Sequence, residues 1–336
     1  MKKPRAVVVR VSMSEIFDAI RNPILADQKL CDALIKSSLH SNVELINKIG
    51  DHIIQSGGKR LRPLLVLLSS KAFGYKGQSH IKLAAVIELL HTATLLHDDV
   101  VDHSELRRNQ PTANNLWGDH ASVLVGDYLY SRAFQLMVEV DNMKVMEIIA
   151  ASTNQMAEGE VLQLLNCHQA DVSEESYMKV IYCKTGTLFA AATQMGPVLI
   201  NADQNKIENM YHYGSCLGTA FQLIDDALDY SGDSKEMGKN MGDDLREGKP
   251  TLPFIRALSQ VSDQDAQILR RAISEGAIEN VDEFITIIKS TDAIAYTVNM
   301  AKQQALKAKE YLSEVPDSVY RNGLLELIDF VVSRRF

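Results

Sequence analysis

The stretch HIKLAAVIELLHTATLLHDDVVD, residues 80–102, restricts the fold of this chain more than any other. It is apolar nearly all round at a helical period, so it belongs at the centre of a helix bundle rather than on its surface. Yet it ends in Asp98, Asp99 and Asp102, and Arg107 and Arg108 follow shortly after. Buried carboxylates are costly unless they are paired or bind a metal. This helix therefore needs partners for its acids.

Helical periodicity continues along the chain, and strand-like alternation is nearly absent. SNVELINKIGDHIIQS carries Val43, Ile46, Ile49 and Ile53 at helical spacing and stops at Gly57-Gly58. Pro63 suits the first turn of the next helix. ASVLVGDYLYSRAFQLMVEV, ESYMKVIYCKTGTLFAAATQM and NKIENMYHYGSCLGTAFQLIDDALDY follow in the same manner, and further amphipathic helices reach the C-terminus. No low-complexity linker or short repeat divides them. We expect an all-α fold, a single large helical bundle over residues 21–336, behind an N-terminal extension over residues 1–20 without fixed structure.

Composition excludes several classes. Forty-six per cent of the residues are hydrophobic, an ordinary share for a globular protein. The net charge of −8 argues against a nucleic-acid binder, so any basic patch has to be local. Cys31, Cys167, Cys183 and Cys216 have neither metal-ligand spacing nor the pattern of a disulfide framework, which fits reduced thiols and a cytoplasmic location. The basic opening MKKPRAVVVRVSM is interrupted by Arg10 and lacks a small-residue cleavage site, so it reads as a start extension rather than a signal peptide. No uncharged apolar run is expected to span a bilayer.

One long-range echo gives the first acidic cluster a counterpart. LLHDDVVD at 95–102 is matched by QLIDDALD at 222–229, each an apolar helix run ending in Asp-Asp-x-x-Asp. Positions i and i+4 lie about 40° apart on a helix, so Asp98 and Asp102 share a face, as do Asp225 and Asp229. Two such faces set opposite each other form a cage of hard oxygen ligands. Mg²⁺ favours a site of this kind, with one or two carboxylates, several waters and phosphate oxygens from a substrate. Without a cation the facing carboxylates, Asp99 and Asp226 among them, would repel.

A cation cage needs an anion. GGKRLRP places Lys59, Arg60 and Arg62 at a glycine turn entering a helix, where backbone N–H groups also favour phosphate. Arg107 and Arg108, Lys184 beside Thr185, and the loop lysines Lys239 and Lys249 add positive charge. Each alone could be a surface salt bridge. Together they describe a polar mouth for two polyanions, one held through metal and one through direct Arg and Lys contact.

GGKRLRP, HTATLLHDDVVDHSELRR, KTG, FQLIDDALD and GKNMGDDLREGKPTLP, in this order, resemble the trans-type isoprenyl diphosphate synthases, most closely the bacterial long-chain group typified by octaprenyl diphosphate synthase. The resemblance runs from about Ile24 to the C-terminus. It implies an isoprenoid-synthase bundle with a central cavity, a homodimer, and Mg²⁺ as cofactor, with about three ions once substrate is bound. It also implies isopentenyl diphosphate and an allylic diphosphate (farnesyl or geranylgeranyl) as substrates, and an octaprenyl product destined for a quinone side chain. Residue by residue, Asp98, Asp99 and Asp102, with Asp225, Asp226 and Asp229, would bind the ions. Arg107, Lys184 and Lys239 would grip the allylic diphosphate, while Lys59, Arg62, His91 and Arg108 would hold that of isopentenyl diphosphate. Thr185 and Gln222 would flank the developing carbocation. Where the family usually has glycine after the arginine pair, Asn109 stands, and its tolerance of left-handed angles leads us to expect a similar turn.

In the short-chain members, bulky aromatics near the first motif block the product tunnel. Here Ala93 and Thr94 occupy those positions, Thr94 about 6 Å before Asp98, so an open tunnel and a long product are expected. Phe134, Met137 and Ile149 are candidates for its floor, Met137 first. His97 and His103 border the motif but are poor candidates for a base, and the released diphosphate is the better proton acceptor. A transient membrane contact would serve release of so apolar a product. Other classes fit these motifs less well. A metal-dependent phosphohydrolase would use the His-Asp pair of HTATLLHDD but needs further ligands. A terpene cyclase normally carries a different second motif, and a regulatory synthase subunit would have lost its acidic motifs.

Overall fold

In the computed structural model the described residues are 12–231, 241–276 and 281–334. The chain enters through α1 (Met13–Arg21), α2 (Leu25–Ser38), α3 (Glu44–Gln55) and α4 (Leu61–Ala72). The apolar stretch forms α5 (Ser79–Val101), and a short hairpin of β1 (Leu106–Arg107) and β2 (Gln110–Pro111) follows. Next come α6 (Ala113–Trp117), α7 (Asp119–Val138), α8 (Met143–Asn166) and α9 (Glu174–Ile181). A π-helical segment over Tyr182–Gly186 runs into α10 (Thr187–Leu199) and then α11 (Gln204–Ser231). The remainder is α12 (Asp243–Arg246), α13 (Leu252–Leu258), α14 (Asp263–Glu275), α15 (Val281–Lys289), α16 (Ala293–Tyr311) and α17 (Val319–Ser333).

The all-α expectation holds. α5 packs along α7 and against α4 and α10, and α11 lies between α10 and α16. Leu83, Ala84, Val86, Ile87 and Leu90 of α5 are fully buried, as its all-round apolar pattern requires. This is also the one helix among the described residues long and apolar enough to cross a membrane, but 67% of that window is buried inside the bundle. A smaller apolar cluster, centred on Tyr230, Leu245, Phe254 and Leu269, joins α12–α15 to the end of α11. The boundary expected at residue 20 falls inside α1, which is capped by Ser12 and packs on α17. Phe17 and Ile20 of α1 are buried in the main core.

Two glycines allow helices to come unusually close where the π segment sits. A Cβ on Gly159 of α8 would stand 2.7 Å from Cys183 Cβ and 2.9 Å from the Lys184 backbone nitrogen. One on Gly218 of α11 would stand 2.9 Å from Gly186 Cα. The segment is thus wedged between α8 and α11, and its wider winding re-aims Lys184 and Thr185; π-bulges recur at functional sites for this reason.

Candidate active site

The two acidic motifs open onto one cavity. Asp98 and Asp102, and Asp225, Asp226 and Asp229, all line a space of about 710 Å³ between α5, α8, α9 and α11. α5 ends at Val101, and Asp102 N–H closes the last turn on the Asp98 carbonyl at 2.8 Å. Carboxylates in the last turn of a helix face the negative end of its dipole, so they need cations close by. Lys184 supplies one, 3.4 Å from Asp98, and Lys249 another, 2.6 Å from Asp102. Burial raises the pKa of Asp98, and the Lys184 ammonium opposes that rise. Burial acts downward on Lys184 and Lys249, but the neighbouring carboxylates outweigh it and keep both lysines charged.

Asp99 points elsewhere. It does not line the cavity; its side chain is 5% exposed and accepts from Arg107 Nε at 3.0 Å and Nη2 at 2.6 Å. On a helix the adjacent residue turns by about 100°, which separates Asp99 from the face shared by Asp98 and Asp102. Arg107 itself lines the cavity from β1. The turn beyond it pairs Arg107 with Gln110 and holds Arg108 (φ 53°) and Asn109 (φ 61°) in the left-handed region, the two-residue hairpin pattern that favours Asn. Arg108 accepts the strain of that position and donates to the Gly57 carbonyl.

On α11 the acids are sorted by their contacts. Gln222 Nε2 donates to Asp226 at 2.8 Å, while its Oε1 accepts from the Thr185 hydroxyl at 3.0 Å. Tyr177 also donates to Asp226. Asp229 accepts from the backbone N–H groups of Asp243 and Asp244, which ties α12 to the motif. Asp225 is the more open acid, 44% exposed, with Arg334 Nη2 at 3.3 Å. The Asp244 carboxyl is pushed well above its usual range by burial and by Asp229 and Asp226.

A second basic group lines the same cavity, with Arg107 acting on its His91 and Arg108. Lys59, Arg62, His91 and Arg108 all line it. Arg62 Nη1 donates to His91 Nε2 at 3.0 Å and its guanidinium lies 4.7 Å over Phe189, while Nε finds no acceptor among the described residues. Burial pushes Arg62 down to about 10, against the pull of Glu88. His91 is driven well below its usual range by burial and by Arg62, Arg107 and Arg108, so it is neutral. An unmet guanidinium donor within a group of like charges is chemistry awaiting an anion.

Lys239 lies outside the described residues. Thr94 lines the cavity, but Ala93, Phe134, Met137 and Ile149 do not. Ala93, Met137 and Ile149 are fully buried in the core, and Phe134 stacks on Tyr130 with ring centroids 6.1 Å apart. His97 and His103 do not line the cavity either; His97 faces Val123 and Asp127 of α7. Among the lining residues that sequence reasoning missed are Glu88, Glu160, Tyr177, Asp244, Glu247 and Arg334. Asp244 was visible as the acid pair after glycine in GDDLREGKP. The others carry no local signal, since they reach the site only through packing.

The comparisons agree with this architecture. The family described as Polyprenyl synthetase matches residues 43–289. Octaprenyl diphosphate synthase of Escherichia coli strain K12 is 45% identical over 304 residues, covering 90% of this chain and 94% of that protein. All-trans-nonaprenyl-diphosphate synthase (geranyl-diphosphate specific) of Rhodobacter capsulatus is 41% identical over 93% of this chain and 96% of its own. A crystal structure of polyprenyl synthase from Caulobacter crescentus CB15, complexed with calcium and isoprenyl diphosphate, superposes with a TM-score of 0.92 at 43% identity, covering 95% of this chain and 98% of that one. With two acid-bearing helices facing one basic cavity and these relatives along nearly its whole length, the chain is a trans-prenyltransferase that belongs to the polyprenyl synthetase family.

Proposed function

We propose that this enzyme is a Mg²⁺-dependent long-chain polyprenyl diphosphate synthase. It condenses isopentenyl diphosphate head to tail onto an allylic diphosphate, farnesyl or geranylgeranyl, and releases an all-trans product of the octaprenyl class for a quinone side chain. One observation carries the reading: Asp98 and Asp102 on α5, and Asp225, Asp226 and Asp229 on α11, line the same cavity as Lys59, Arg62, Arg107, Arg108, Lys184 and Lys249.

The donor set fits magnesium. Asp244 is a buried carboxyl crowded by Asp229 and Asp226, and the nearby Lys249 offsets that crowding only in part. Mg²⁺ keeps several waters and shares phosphate oxygens with its substrate, so it needs only one or two carboxylates from the protein. Asp98, Asp102 and Asp225 are the residues that would hold it most directly, and when bound it would neutralise charge on the departing diphosphate. Asp99 serves by fixing Arg107.

The chain's own cations complete that work. Lys184, Lys249 and Arg107 face the allylic diphosphate and stabilise the charge that grows as its C–O bond breaks. Lys59, Arg62, neutral His91 and Arg108 seat the diphosphate of the second substrate. The Thr185–Gln222–Asp226 chain holds polar groups beside the cation without offering it a strong nucleophile. The proton lost at the end goes to the released diphosphate, since His91 is committed to Arg62 and neither His97 nor His103 reaches the cavity.

Small Thr94, which lines the cavity, leaves room for a long product, and Ala93 packs in the core beside it. Exposed Leu124 of α7 and Val161, Leu164 and Leu165 of α8, 58–67% accessible, support a homodimer through that face. The test is incubation of purified protein with Mg²⁺, farnesyl diphosphate and radiolabelled isopentenyl diphosphate, followed by reversed-phase chromatography. Elongated diphosphates near the octaprenyl length are expected. Phosphate release alone, a cyclic hydrocarbon, or no reaction would overturn the reading in favour of a phosphohydrolase, a cyclase or a regulatory subunit.

A further inference from the structure

Two lysines face the first acidic motif, and each is shared between one aspartate of that motif and one glutamate outside it. Lys184 Nζ lies 3.4 Å from Asp98 and 2.8 Å from Glu160. Lys249 Nζ lies 2.6 Å from Asp102 and 2.7 Å from Glu247. The lysines come from the π segment and from the loop after α12, and the glutamates from α8 and from the residue that ends α12. Unrelated elements thus build the same arrangement twice. All six side chains are at most 31% exposed, so solvent is a poor substitute for either partner.

Resting on the function proposed above, we infer that Glu160 and Glu247 are positioning residues of a lysine lock. In the free enzyme, Lys184 and Lys249 stand where a divalent cation must approach Asp98 and Asp102. The glutamates retain the lysines once the aspartates are taken from them. A buried ammonium expelled without an acceptor is strongly unfavourable, so the glutamates make the exchange possible. The acidic motif therefore binds cations weakly until a diphosphate offers the lysines a new partner. Metal and allylic substrate then enter together.

The competing account is simple attraction, in which the glutamates merely add negative charge for the cation. Mn²⁺ binding to the full-length enzyme without substrate, read from the electron paramagnetic resonance of the free ion, separates the two. Lys184→Met and Lys249→Met should each tighten Mn²⁺ binding about tenfold or more. Glu160→Gln should weaken it about fivefold in the wild type but at most about twofold in the Lys184→Met background, because its effect runs through the lysine. Glu160→Asp should restore the wild-type affinity, which guards against a folding defect. Equal weakening by Glu160→Gln in both backgrounds would overturn the lock. So would lysine variants that bind Mn²⁺ no better than wild type, including no detectable binding by any variant. The underlying functional reading is tested apart. With inorganic pyrophosphate present, Asp98→Asn must weaken Mn²⁺ binding to the wild type, and if it does not, the metal assignment fails whatever the lysines do.

Discussion

Substituting Asp99 distinguishes a metal ligand from an anchor. Asp99 sits within an Asp-Asp-x-x-Asp motif, yet its carboxylate is spent on two hydrogen bonds from Arg107, at 3.0 and 2.6 Å. Hydrogen bonds to charged groups contribute about 1.5–3 kcal/mol. Asp99 is 5% exposed but Arg107 is 30% exposed, so solvent screening favours the lower part of that range, about 1.5–2 kcal/mol. Asp99→Asn frees Arg107 from its fixed direction, and that energy appears as a rise of about 10- to 30-fold in KM for the allylic diphosphate. The Mg²⁺ concentration giving half-maximal rate should stay within about twofold of wild type, whereas Asp98→Asn should shift it strongly. Steady-state kinetics with allylic substrate and Mg²⁺ varied independently would read both quantities. A large shift in Mg²⁺ dependence for Asp99→Asn, with allylic KM unchanged, would refute the anchor and return Asp99 to the metal.

Three further outcomes are expected. Gly159→Ala brings a methyl group against Cys183 and the Lys184 backbone; overpacking of about 1–3 kcal/mol should lower Tm by about 1–4 °C for a chain of this length. In the same variant kcat should fall more than KM rises, and an unaltered kcat would sink the argument that the π segment sets the site. Ala93→Tyr, placed in the buried turn before Asp98, should shorten the product on reversed-phase chromatography, and unchanged length would refute the open tunnel. His91 has its folded-state pKa lowered by burial and three arginines, so the unfolded chain takes up the proton first as pH falls. Stability should therefore drop below about pH 6.5, by at most about 1.4 kcal/mol per pH unit from this group. Thermal unfolding across pH 7.5 to 5.5 should show a shallower loss for His91→Gln, and identical slopes would remove His91 from the account.

The fold was legible because it rests on local patterns. The all-round apolar run of residues 80–102 could only be a central helix, and the repeated Asp-Asp-x-x-Asp could be seen without any structure. The spacing also told that Asp98 and Asp102 share a face. The turn after Arg107 was anticipated from Asn109, whose left-handed angle the hairpin uses. The candidate floor of the tunnel was harder, since Met137 and Ile149 look alike in sequence whether they line a cavity or fill a core. The structure places both in the core.

By itself, then, the amino-acid order determined which segments become helices, which faces carry acid, and that cations must lie near them. Those properties follow from side-chain period and charge within a few residues. Only tertiary packing decided which partner each charge meets. Glu160 reaches Lys184 from 24 residues away, and Arg334 reaches Asp225 across 109. Nothing within either segment encodes its partner. Asp99 and Asp98 differ by one position and by the whole direction of a helix face, so one serves Arg107 and the other the cavity. The period of a helix is written locally, but the distance between two helices is set by everything packed between them.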